Sequence, residues 1–215
     1  MKGLIVLVLL LPNLSYDWFE GKITYQMSLI DKNGTPGIFP ILIEDVYYST
    51  NKKITKVIEG DFIDQVGNYF LLIDTEKKTR YEVWPQEKRI VDIGKEPAQD
   101  VYYKIDKTDQ TERILGFECT LFKIKRKTMF EADTTFISLY VSQLLKTQSA
   151  SQFVDIGGNL STDGIDGSIS GIPLKIVIQS KTGIVRQEAI EITQGKLFGT
   201  TEKYFEDLKI IPAPR

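Results

Sequence analysis

Phe19-Glu20-Gly21-Lys22-Ile23-Thr24-Tyr25-Gln26-Met27-Ser28-Leu29 is the stretch that decides the fold class. Phe19, Gly21, Ile23, Tyr25, Met27 and Leu29 alternate with Glu20, Lys22, Thr24, Gln26 and Ser28. Side chains of a strand point to opposite faces in turn, so a period of two describes a strand with one oily and one wet face. A surface helix would place its apolar residues at i, i+3, i+4 and i+7, and that template fits this stretch much worse. Asn33-Gly34-Thr35-Pro36-Gly37 then breaks the run with residues that favour turns.

Working outward, the same pattern recurs along the 215 residues. Residues 41–49, 52–59, 61–66, 69–74, 79–84 and 89–93 read as strands in the first half. Gly67-Asn68 between two of them is a two-residue hairpin signal. Residues 101–106, 111–115, 117–127, 134–142, 172–179 and 184–193 continue the style, the last two around the turn Ser180-Lys181-Thr182-Gly183. Two short segments, 142–152 and 200–208, read as helical. The expected architecture is mainly β: a single curved antiparallel sheet, half-barrel or open barrel, of roughly eleven strands with one or two short helices. Residues 153–170, rich in Gly, Asp, Asn and Ser, are expected to form a long mobile loop within it.

The N-terminus speaks to compartment. Met1-Lys2-Gly3 carries one positive charge, residues 4–11 are an unbroken apolar run, and Pro12-Asn13-Leu14-Ser15 follows. A charged start, a short greasy middle and a small residue at the end form the layout of a secretory signal peptide, with cleavage expected after Ser15. The run is too short to span a bilayer, which takes about 20 apolar residues. No cysteine follows it, so lipidation there is excluded. The expectation is an exported protein of the periplasm or cell envelope, with residues 16–215 as one β-rich domain.

Composition removes several chemistries. The chain has no histidine and one cysteine, Cys119. Ser-His-Asp and Cys-His catalysis, histidine metal ligation and disulfides within the chain are therefore absent, and no metal or cofactor is expected. A net charge of −2 lacks the basic footprint of a nucleic-acid binder. Cys119 reads as a buried thiol, because a catalytic thiolate would want a basic partner. Asp155, Asp163 and Asp166 sit among glycines as calcium ligands do, but their spacing matches no known calcium loop and reads as turn chemistry. The pairs Asp61/Asp64 and Glu188/Glu191 could serve acid–base work only across a cleft, and read as solvated strand faces. Lys123-Ile124-Lys125-Arg126-Lys127 is the densest basic stretch; it could meet anionic headgroups, and the preferred reading is a protected edge or outer strand. Asn33-Gly34-Thr35 and Asn159-Leu160-Ser161 match the N-glycosylation acceptor pattern. The aromatics, 11 Phe, 10 Tyr and 2 Trp, are the more suggestive feature. Trp84, Phe122, Phe136 and Tyr140 lie on central-looking strands and are the candidate ligand-binding residues, with core packing as the plainer alternative.

Three segments together carry a resemblance: Phe19-Glu20-Gly21-Lys22-Ile23-Thr24-Tyr25, Ile114-Leu115-Gly116-Phe117-Glu118-Cys119, and Gly171-Ile172-Pro173-Leu174-Lys175-Ile176. Tyr204-Phe205-Glu206-Asp207 and Pro212 near the end add to it. The chain resembles a domain-of-unknown-function family of exported bacterial proteins, common in the Bacteroidetes group and related by fold to periplasmic lipoprotein carriers. That resemblance implies an open half-barrel with a hydrophobic concave face covered by helices, and brings no catalytic residues. The expected function is an envelope binding protein that carries a lipophilic ligand or an acylated protein segment on the concave face. The alternative is a non-enzymatic structural or adaptor protein of the envelope that acts through surface contacts.

Overall fold

In the computed structural model of the protein, residues 18–31, 33–35, 37, 42–49, 52–60, 70–74, 79–94, 101–128, 134–146, 169, 171–181, 183–195 and 209–212 are described. They form twelve strands of one sheet. These are β1 (Gly21–Ile30), β2 (Leu42–Tyr48), β3 (Lys52–Gly60), β4 (Phe70–Asp74), β5 (Thr79–Trp84) and β6 (Arg89–Gly94), followed by β7 (Val101–Ile114), β8 (Phe117–Thr128), β9 (Thr135–Ser142), β10 (Ile172–Ser180), β11 (Gly183–Gln194) and β12 (Lys209–Pro212). Their spatial order is β12-β6-β5-β4-β3-β2-β1-β11-β10-β9-β8-β7, an open sheet that does not close into a barrel. Eleven strands pair antiparallel, as expected from the many short hairpin turns. The twelfth departs from the expectation: β12 lies parallel to β6, with Ile210 opposite Ile90.

The two runs 101–106 and 111–115 are one long strand, β7, interrupted by an irregularity between Lys107 and Thr111. The expected helix over 142–152 does not begin there: Ser142 closes β9, paired with Cys119 and Ile172, and residues 143–145 are bends. That segment carries no apolar stripe, whereas β8 and β10 on either side offer ladder partners for Ser142. The segments 1–17, 61–69, 147–168 and 196–208 lie outside the described residues, and with them the signal sequence, the Gly67-Asn68 hairpin, the expected helix 200–208 and nearly all of the 153–170 loop.

The register shows that the covered face is not the same across the sheet. On β1, Ile23 and Tyr25 share one face, and Thr24 the other. Ile23 pairs with Val46, and Phe122, Ile124, Ile137, Leu139 and Ile176 lie on this Ile23 face, forming the larger buried cluster. From β2 to β6 the cluster changes sides. Tyr47, Ile54, Leu72 and Tyr81 are register neighbours on the Thr24 face, beside Phe70, Val83 and Ile90. Each fully buried Ile, Leu or Phe adds about 1.5–3 kcal/mol of apolar transfer. Gly21 marks one tight point: a Cβ there would collide with the Thr193 carbonyl oxygen.

Candidate functional site

Strand pairing gathers five chain segments at one end of the sheet. Gly21 pairs with Gln194, Ile172 and Cys119 both pair with Ser142, and Ile114 pairs with Phe117 across a two-residue turn. The start of β1, the end of β11, the start of β10, the end of β9 and the β7–β8 turn therefore lie together. Leu115, Phe117, Ile192 and Gln194 line a groove of about 420 Å³ here. That volume falls within the usual range for small-ligand sites, about 300–1,000 Å³. Leu144 and Trp18 are exposed at the same end, where the Phe19 N–H donates to the Lys146 carbonyl at 2.7 Å.

The turn itself is unusual. Leu115 and Gly116 both have positive φ, 48° and 85°. This is the requirement of a tight hairpin turn whose twist suits the strands, normally met by Asn-Gly or Gly-Gly. Leucine in the left-handed region costs roughly 1–2 kcal/mol. Leu115 is also 46% exposed, so packing does not offset that cost.

A second cluster lies under the Ile23 face. The Tyr25 hydroxyl donates to the Pro173 carbonyl at 2.9 Å and lies 3.4 Å from the Tyr48 hydroxyl. With its one proton committed to Pro173, Tyr25 accepts from Tyr48. Gln187 Nε2 donates to Glu44 Oε1 at 2.5 Å. Lys53 and Ile176 complete the walls of a cavity of only about 10 Å³, room for one water. Burial, and then the neighbouring Tyr48, pushes the Tyr25 phenol well above its ordinary range. Burial raises Tyr48 likewise. Both phenols are therefore neutral donors at physiological pH, and their role is to satisfy one another in a closed space.

The four aromatic candidates are dispersed. Trp84 is on β5, with six strands between it and β9. Phe122 is 2% exposed within the larger cluster, on the Ile23 face. Tyr140 and Phe136 share β9 but point to the Thr24 face. Three of the four have a ring face covered by the cation directly opposite on the next strand: Arg89 over Trp84 at 5.0 Å, Lys107 over Phe122 at 6.0 Å and Lys175 over Tyr140 at 4.7 Å. Phe136 alone among them is open, at 52% exposure. The alternation that placed these residues on strands does not say which face each strand turns inward. The break at Gly116 between two strand runs was readable in the sequence; the exposure of Leu115 at that turn was not.

The remaining candidates resolve simply. Cys119 is fully buried and its thiol donates to the Phe117 carbonyl at 3.6 Å. Burial, reinforced by the Glu112 charge, pushes it up to about 11, so it is protonated and inert as a nucleophile at neutral pH. Glu188 pairs with Arg186 at 3.4 Å and Glu191 with Lys22 at 3.9 Å, so the two carboxylates serve separate ion pairs. Asp61, Asp64, Asp155, Asp163, Asp166 and Asn159 lie outside the described residues. Asn33 sits in an exposed turn whose backbone N–H donates to Asp31 at 2.8 Å. Among the described residues no group of His, Cys, Asp or Glu is placed to hold a metal ion, and no helix is long and apolar enough to cross a membrane.

No family model matches the sequence. No curated protein matches it either. Among solved structures, one of a protein named PNGF-II, in a C2 crystal form, is similar to this chain with a TM-score of 0.51 and 16% identity. The likeness covers 91% of this chain and 31% of that one, so the chain spans about a third of the length of the structure it resembles. At that identity the likeness is one of fold: an open many-stranded sheet of this kind occurs as part of a larger protein.

Proposed function

We propose that this chain is a non-catalytic binding module of the cell envelope. Its guest is apolar, a lipophilic molecule or the acyl group of a modified protein segment, and it seats in the groove at the strand ends rather than on the face of the sheet. The observation that carries the reading is Leu115. An exposed leucine, held at a backbone angle that favours asparagine or glycine, sits on the rim of the groove. Local strain without a packing return is a signature of sites kept for contact. The filled space beside Tyr25 and Tyr48 leaves the groove as the roomier candidate. The protonated thiol and neutral phenols are in keeping with binding rather than chemistry. Envelope placement rests on the signal-like residues 1–15.

Titration with the hydrophobic fluorophore anilinonaphthalene sulfonate tests the proposal. One saturable site is expected in the parent protein, weakened roughly tenfold in Leu115→Asn by the loss of apolar contact. Non-saturable binding, or equal affinity in the two proteins, would overturn it. The adaptor reading draws its support from a different surface, the outer face around Phe136.

A further inference from the structure

The Thr24 face of β7 to β10 carries a basic platform that owes nothing to the strand-end groove. Register sets Lys104 opposite Lys125, Lys125 opposite Phe136, and Phe136 opposite Gln179. Asp106, Lys123 and Ser138 form the next row. Lys123, Lys125 and Lys127 follow one another along β8 at roughly 7 Å intervals, and all three are exposed, as is Lys104. Elsewhere on this face three cations meet an acid: Lys175 with Glu112 at 2.7 Å, Arg186 with Glu188 at 3.4 Å, Lys22 with Asp45 at 3.6 Å. Here four lysines share one acid among the described residues, Asp106, which takes Lys104 at 3.2 Å.

Edge protection does not account for this. β8 is paired on both sides, by β7 and β9, and the edge is β7. Directly opposed lysines weaken strand pairing, so Lys104 and Lys125 work against the sheet that holds them. The excess is local, because the whole chain has a net charge of −2. Beside it, on β9, stands Phe136, 52% exposed and without a covering cation among the described residues, unlike Trp84, Phe122 and Tyr140.

We propose that this face docks on an anionic phospholipid surface, the lysines against the headgroups and the Phe136 ring entering the interfacial layer. A broad sheet face with a patch of positive charge and one apolar prong at its flank suits a membrane surface. A single-stranded nucleic acid would call for several free ring faces on which bases stack, and among the described side chains of this patch Phe136 is the one that offers such a face.

Sedimentation with vesicles tests this. Binding is expected to vesicles containing one-third phosphatidylglycerol and not to pure phosphatidylcholine, and to be lost at high salt. Each lysine changed to glutamine should weaken it roughly fivefold, so Lys123→Gln, Lys125→Gln and Lys127→Gln together roughly a hundredfold. Phe136→Ser should weaken it while leaving the salt dependence intact. Leu115→Asn should bind vesicles as the parent does, which separates this surface from the groove. Equal binding to both vesicle types, parent-like binding by a triple variant of unchanged circular dichroism, or capture by an acidic peptide resin without vesicle binding would each overturn it. The salt and lipid dependence of the parent protein decides the matter even if the triple variant fails to fold.

Discussion

Cys119 and Ser142 face one another across the β8–β9 ladder, both fully buried, and they illustrate opposite ways of treating a polar atom. The thiol has found the Phe117 carbonyl. The Ser142 hydroxyl, among the described residues, has no partner. An unsatisfied buried hydroxyl costs about 1–3 kcal/mol. Ser142→Ala should therefore stabilise the protein by about 1 kcal/mol, read as a melting temperature higher by about 2–4 °C; a lower one would show that the hydroxyl is satisfied. Cys119, Tyr25 and Tyr48 share a second consequence. All three are raised in the fold, chiefly by burial, Cys119 to about 11. The unfolded chain then releases protons before the folded one does, so stability falls as pH rises. Denaturant midpoints should be level below about pH 8 and drop between about pH 9 and pH 11. A level midpoint throughout would mean that these groups are solvated.

At the scale of the element, the β7–β8 hairpin holds the conflict that the proposed function uses. Its strands are long and well registered, yet its turn places Leu115 at φ 48°. Asparagine tolerates that angle far better. Leu115→Asn should raise stability by about 0.5–1 kcal/mol while it lowers affinity for the hydrophobic fluorophore, a trade visible only if both thermal unfolding and binding are measured. Loss of both together would point to a merely structural turn. On the far side of the sheet the cation–aromatic pairs follow a single rule, since each joins directly opposed residues of neighbouring strands. Such pairs contribute about 0.5–1 kcal/mol at exposed sites. They also occupy ring faces on which a ligand would otherwise stack.

For the whole molecule, the decisive feature is the change of covered face between β1–β2 and β3–β6, which divides the buried apolar residues into two clusters. Two clusters on opposite faces share few partners. Ile54→Val and Ile137→Val should each cost about 0.5–1.5 kcal/mol, and the double variant should cost their sum to within about 0.5 kcal/mol. Ile124→Val with Ile137→Val, register partners on one face, should depart from additivity. Chemical denaturation of the three single and two double variants checks this, and coupling between Ile54 and Ile137 as strong as that of the neighbours would show one continuous core.

Strand character was written in the chain itself. Alternation such as that from Phe19 to Leu29 is a local property, set by the pleat of the backbone, and it located ten of the described strands to within a residue or two. The missing histidine and the single cysteine narrowed the chemistry just as directly. Alternation names two faces but not which of them is covered. That choice depends on pairings between distant segments, such as Ile23 with Ile192 or Ile90 with Ile210, and no local pattern encodes them. For the same reason only the tertiary structure brought Leu115 to Ile192, scattered Trp84, Phe122, Phe136 and Tyr140, and set the lysines of β8 beside an open phenyl ring.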